Sequence, residues 1–197
     1  MKRIAGRLLL ASPYLSDPNF YRSVIYMVRH DEEGAFGLLL NRPGQITLDE
    51  LFSDRLGRPP KRSDPIYFGG PVDGPLIALH TLSGLGDPCG PLSSEESLDG
   101  DEDAGSSPVW ITADDDQLTV LADRTDVQVR FVVRYSGWGP GQLDRELGQG
   151  GWLVGPPDWP AIFGPSDSLW ENMVKRVGRE ILGGILNVPV ADDPQWN

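Results

Sequence analysis

Two apolar runs joined by a short polar turn constrain the fold of this chain more than any other feature. Ser23 to His30 carries apolar side chains on both faces, with Val24, Tyr26 and Val28 on one and Ile25 and Met27 on the other. A strand of that pattern is covered on both sides and belongs inside a sheet. Asp31 to Gly34 is turn material, and Ala35 to Leu40 is again continuously apolar. Together the two runs read as an antiparallel hairpin. The second run ends abruptly at Asn41-Arg42-Pro43, where a proline removes a ladder donor.

The remaining elements are short. Residues 7–11, Ile66 to Phe68, Leu76 to His80, Val109 to Thr112 and Trp152 to Val154 read as strands. Val127 to Tyr135 alternates, with Val127, Val129, Phe131, Val133 and Tyr135 on one face and Gln128, Arg130 and Arg134 on the other. Thr47…Glu50 and Ser168…Glu171 have the spacing of capping boxes. The first predicts a helix of about two turns through Phe52. The second predicts one that buries Leu169, Trp170, Met173 and Val177 and weakens at Gly178. Asp114 caps a further helix to about Ala122, and Gln142 to Leu147 forms another. With 24 glycines and 18 prolines the chain is rich in turns. The expectation is an α+β fold, a single domain over residues 1–197. It has a mixed, largely antiparallel sheet with short helices packed on it and an acidic surface loop at about 93–105.

Charge narrows the function classes. The chain has 17 basic and 29 acidic residues, a net −12. Removing the six acids of Glu95 to Asp103 still leaves −6. Such a chain is repelled by nucleic-acid phosphates and anionic membranes. The best basic cluster, Arg55, Arg58, Lys61 and Arg62, is broken by Pro59-Pro60 and reads as a solvated loop. Trp159 and Trp196, beside prolines, are the exposed candidates for partner contacts. One cysteine, Cys89, permits no intrachain disulfide. The apolar run Leu8 to Ala11 is too short for a signal-peptide core, and no stretch has the length of a membrane span. A cytoplasmic location is expected.

No catalytic signature stands out. His30 and His80 are the only histidines. His30 neighbours Asp31, Glu32 and Glu33, but consecutive turn residues do not converge on a metal. No Gly-x-Ser-x-Gly elbow is present, although Ser23 opens a strand and would be exposed if it lay at a sheet end. Cys89 reads as a loop thiol with no basic neighbour to activate it. Gly137-Trp138-Gly139-Pro140-Gly141 places glycines before a helix, a setting that can present backbone N–H groups to a phosphate. Pro140 has no N–H, however, and neither phosphate-binding spacing is met. A tight turn with Trp138 packed over it is the alternative. No cofactor or metal is implied.

Four blocks in order resemble the YqgE/AlgH family. The first is Leu10-Ala11-Ser12-Pro13 with Leu15, Asp17-Pro18, Phe20 and Arg22-Ser23-Val24. The second is His30…Gly34-Ala35-Phe36-Gly37-Leu38…Leu40-Asn41-Arg42-Pro43, and the third Gly69-Gly70-Pro71-Val72 with Leu79-His80. The last is Tyr135-Ser136-Gly137-Trp138-Gly139-Pro140-Gly141-Gln142-Leu143, then Glu146 and Trp152-Leu153. The likeness spans about residues 6 to 177. It implies an α+β fold with partly antiparallel sheets and a small bacterial cytoplasmic protein. It carries a family label of transcriptional regulation of alginate genes, with no established reaction and no catalytic residues. The acidic stretch at 93–105, Ser136 and Asp144 depart from the family pattern.

A hairpin places the start of its first strand beside the end of its second. Arg22 and Arg42 therefore fall at one sheet end with Asn41 between them. If the Gly69-Gly70 turn and the Trp138–Gln142 turn reach that end, Arg22, Asn41, Arg42, Gly69, Gly70, Trp138 and Gln142 line a pocket for a carboxylate or phosphate. In the competing reading, Arg22 and Arg42 pair with Asp17 and Glu146 and brace loops. The function expected is a regulatory or binding protein acting through a protein partner or a small anionic ligand. The alternative is an anion- or nucleotide-binding protein, or an enzyme of unrecognised type, using the arginine-lined pocket.

Overall fold

The computed structural model describes residues 3–89, 109–156 and 158–186, the last five of these by backbone alone. The acidic stretch at 93–105 and Trp196 lie outside the described residues. In chain order the elements are β1 (Leu8–Ala11), β2 (Val24–Asp31), β3 (Gly34–Leu39), β4 (Pro43–Thr47), α1 (Leu48–Leu56), β5 (Pro65–Phe68), β6 (Val72–His80) and β7 (Asp87–Cys89). There follow β8 (Val109–Thr112), α2 (Asp115–Ala122), β9 (Val129–Trp138), α3 (Gln142–Gly148), β10 (Trp152–Gly155), α4 (Trp159–Phe163) and α5 (Leu169–Leu186).

The strands form one mixed sheet in the order β10-β1-β2-β3-β9-β6-β8-β7, antiparallel throughout, with β5 added parallel to β9 and β4 antiparallel to β5. The expected hairpin is present, with Ile25 opposite Leu39 and Asp31 opposite Gly34. Its strands lie in the middle of the sheet and Val24, Ile25, Tyr26 and Met27 are all buried.

β9 organises the rest. On one edge it pairs with β6 from Val129 to Tyr135, and on the other Val132 and Val133 pair with β5 and the last three residues with β3. At the changeover Arg134 has φ 65, a left-handed backbone that a non-glycine residue rarely adopts. A bulge of this kind bends and twists a strand, and here it turns the sheet.

Three apolar clusters follow from this curvature. Leu169, Trp170, Met173 and Val177 of α5 cover Leu8, Leu10, Val24 and Tyr26. Leu143 of α3 and Phe20 pack against the opposite face, on Leu9, Ile25, Met27 and Leu39. Leu48 and Phe52 of α1 and Leu118 and Leu121 of α2 cover Ile66, Ala78 and Phe131. Fully burying a side chain of this size stabilises the fold by about 1.5–3 kcal/mol, so these faces fix the helix positions.

Several element ends follow their local signals. Thr47 accepts from Glu50 N, and Glu50 Oε2 accepts from Thr47 N at 2.8 Å, the full capping box. Asp114 caps α2 as expected. The differences are also local. α1 runs past Phe52 to Leu56 and stops where Gly57 takes φ 65. Ser168 takes φ 56, so it lacks the extended backbone of a capping-box residue. α5 continues through Gly178. A mid-helix glycine costs about 1 kcal/mol relative to alanine, less than the burial of Met173 and Val177 returns. α4 was not anticipated. It takes Trp159, half-buried and stacked on Phe163 at 5.3 Å, out of the exposed class.

Candidate functional site

The end of the hairpin brings Arg22, Asn41 and Arg42 together. Asn41 Nδ2 donates to Arg22 O at 2.8 Å, and Asn41 Oδ1 accepts from Val24 N at 3.0 Å. Arg42 donates from Nη2 to Tyr21 O and from Nη1 to its neighbour's carbonyl, Asn41 O, at 3.2 Å. Partial burial lowers the Arg42 pKa. Arg22 Nη1 lies 3.1 Å from Glu171 Oε1, and the guanidinium sits over the Tyr21 ring at 5.3 Å and the Trp170 ring at 5.2 Å. The brace proposed from the sequence thus has other partners. Glu171 stands where Asp17 was expected, and backbone carbonyls stand where Glu146 was expected. Asp17 instead organises the loop itself, accepting at its carbonyl from Phe20 N and Tyr21 N and at Oδ1 from Asn19 N.

Gly69 and Gly70 adjoin this end, and their role is close approach. Gly69 O accepts from Leu39 N at 3.0 Å and from Ser136 Oγ at 2.9 Å, while Gly69 N donates to Val133 O at 2.8 Å. A Cβ on Gly69 would stand 2.4 Å from Arg134 O, and one on Gly70, at φ 154, would stand 2.3 Å from the Tyr135 carbonyl. Both positions exclude a side chain because β9 passes directly against them.

Trp138 and Gln142 lie at the other end of β3. Ala35, near its start, pairs with Trp138, so antiparallel register carries the glycine-rich turn away from Asn41. Their polar atoms converge on Glu146. Trp138 Nε1 and Trp152 Nε1 donate to Glu146 Oε2 at 3.0 and 2.8 Å, and Gln142 Nε2 donates to Oε1 at 2.9 Å. Gln142 Oε1 accepts from Gly139 N at 3.2 Å. Phe20 closes the cluster, stacked on Trp138 at 5.8 Å and edge-on to Trp152 at 5.4 Å. The loop of residues 12–23 therefore reaches both sites, with Phe20 among the indoles and Arg22 on Trp170.

Other candidates are buried. Ser23 is fully buried, so its hydroxyl does not present itself at a sheet end. Cys89 is buried on β7 rather than in an open loop, and burial pushes its thiol up to about 12. Tyr26 donates to Cys89 O at 2.7 Å, and burial raises the phenol pKa. His80 is buried, accepts from Leu82 N at Nδ1, and is pushed down to about 4 by desolvation. His30 is buried with Nε2 3.5 Å from Asp144 Oδ2. Among the described residues no three metal-ligating side chains cluster.

The basic cluster is neutralised in place. Arg58 donates to both Asp123 oxygens at 2.8 and 2.7 Å, holding that carboxyl down at about 2, and Lys61 lies 3.3 Å from the same group. Arg62 pairs with Asp64 at 2.6 Å and Arg55 with Asp115 at 3.1 Å.

Sequence reasoning missed Arg130. Alternation puts it on the polar face with Gln128 and Arg134, yet it is 3% exposed, over the Tyr67 ring at 4.1 Å. Its guanidinium donates to Leu40 O, Ile162 O and Gly164 O. Burial lowers its pKa. The arginine ties the base of Asn41 to the C-terminal end of α4.

The family model described as AlgH-like matches residues 8–182. A UPF0301 protein of Ruegeria pomeroyi is 35% identical over 185 residues, 91% of this chain and 94% of its own length. One from Myxococcus xanthus is 34% identical over 182 residues, 90% of this chain and 93% of its own. The solution structure of the AlgH protein from Pseudomonas aeruginosa superposes with a TM-score of 0.65 at 28% identity, covering 95% of each chain. A crystal structure from Corynebacterium diphtheriae gives 0.64 at 22% identity over 89% of this chain and 90% of that one, a likeness of fold.

Proposed function

The chain belongs to the AlgH-like family, and on that premise we propose that it is a non-catalytic binding protein of the bacterial cytoplasm that acts through a protein partner. The observation that carries this reading is that the polar residues make hydrogen bonds within the fold. Asn41 is occupied by Arg22 O and Val24 N, Arg42 by Tyr21 O and Asn41 O, and Arg22 by Glu171. Trp138 and Gln142 are occupied by Glu146 at the far end of β3. A site that holds an anion needs donors free to converge on it, and these donors already brace the fold. Binding through a preformed surface suits such an arrangement. A regulatory role, as the family label has it, would then act through other proteins. The net −12 and the paired Arg55, Arg58, Lys61 and Arg62 weigh against direct contact with DNA.

The second reading, an anion site at Arg22, Asn41 and Arg42, draws on their proximity alone. A thermal-shift screen with inorganic phosphate, nucleotides and dicarboxylates separates the two. The partner reading predicts no stabilisation at millimolar ligand. Stabilisation that disappears in Arg42→Ala would overturn it in favour of the anion site.

A further inference from the structure

We propose that the loop of residues 12–23 is the docking surface for that partner, and that the partner is a protein with a basic face. The proposal rests on the partner-binding reading above and adds where and what. Tyr14 is 92% exposed and Tyr21 50%, the two most exposed large apolar side chains among the described residues. Arg22 beside them is half-exposed. Tyrosine and arginine are the residues that dominate protein interfaces, since each offers a large contact area with a polar tip.

Isolated exposed apolar residues need no explanation. These two are displayed by a loop that is held in a strained form. Arg22 has φ 51, a conformation that persists only where the surroundings impose it and that concentrates at binding and switch sites. The surroundings here are explicit. Asn41 holds Arg22 O, Arg42 holds Tyr21 O, Glu171 and two rings hold the guanidinium, and Phe20 is anchored between Trp138 and Trp152. The loop is thus ordered before a partner arrives, which removes a main cost of association. Charge selects the class of partner. A net −12 repels nucleic acid and steers basic proteins. Asp17 in the loop and Asp167 ahead of α5 are both exposed to meet such a face.

The test places a photo-reactive benzoylphenylalanine at Tyr14 of the full chain, expressed in a bacterium that makes this protein. The same group at Val120, 46% exposed on α2, is the control. The expected result is a discrete protein adduct from position 14 and none from position 120. Tyr21→Ser, which removes a half-exposed ring and keeps the Tyr21 carbonyl that accepts from Arg42, should weaken that adduct about tenfold, as truncation of an interface hot spot does. Repeating the irradiation in lysate at high salt should weaken it too. An adduct from position 120 alone overturns the surface and leaves the partner reading standing. No adduct from either position overturns both. An adduct with nucleic acid, or one indifferent to Tyr21→Ser and to salt, overturns the proposal.

Discussion

Asn41 clamps the backbone on both sides of Ser23, donating to Arg22 O at 2.8 Å and accepting from Val24 N at 3.0 Å. One side-chain amide, at the end of the hairpin's second strand, thus fixes the entry to its first. Replacing it leaves a donor and an acceptor without partners at the sheet end. We expect Asn41→Ala to destabilise the protein by about 2 kcal/mol, the usual penalty for orphaned backbone groups. Urea denaturation would show this as a lower midpoint with an unchanged slope.

Arg22 supplies a second prediction through its backbone. Both Arg22→Gly and Arg22→Ala remove the Glu171 pair and the ring contacts. Only glycine accepts φ 51 without a Cβ penalty. Arg22→Gly should therefore be the more stable of the two by about 1 kcal/mol. Equal stability would mean that the left-handed backbone is not retained.

Arg130 should be intolerant of shortening. Arg130→Met matches its stem but leaves Leu40 O, Ile162 O and Gly164 O without their shared donor. A loss on the order of 3 kcal/mol is expected. Arg130→Lys should also lose stability, since an ammonium cannot reproduce the planar fork. Calorimetry of the two variants against wild type checks the order.

His80 makes stability depend on pH in a defined window. Burial holds its folded-state pKa near 4, below the ordinary value of 6.5. Between those values the unfolded chain binds a proton that the folded chain refuses. The His80 contribution is therefore lost as pH falls from 6.5 towards 4 and changes no further below that. His80→Asn, with an amide oxygen in place of Nδ1 for Leu82 N, should lack this contribution. Urea midpoints at several pH values for both proteins measure the difference.

Much of this was legible because it is local or follows from hairpin arithmetic. The two-sided burial of Val24 to Met27, the Thr47–Glu50 box and the Asp114 cap each rest on a few adjacent residues. The meeting of Arg22, Asn41 and Arg42 follows from antiparallel pairing of β2 with β3. At the candidate site the differences are non-local. Trp138 and Gln142 fall at the wrong end because the pairing of β9 with β3 runs through Ala35 and Trp138, a register no single segment encodes. Arg130 falls on the polar face of its strand, and its burial comes from α4 and the parallel strand β5, which lie far off in the chain. Gly69 and Gly70 suggest a ligand cradle until β9 is seen to occupy the space their side chains would fill.

Amide hydrogen exchange of the 12–23 loop tests the central claim most directly. If Asn41 and Arg42 hold this loop as a rigid surface, Tyr21 N, Ser23 N and Val24 N, all hydrogen-bonded, exchange slowly in the wild type. In Asn41→Ala they should exchange at least about tenfold faster, while the amides of β6 and β9 change only by the loss of global stability. Wild-type loop amides that exchange as fast as an unstructured peptide would contradict the account.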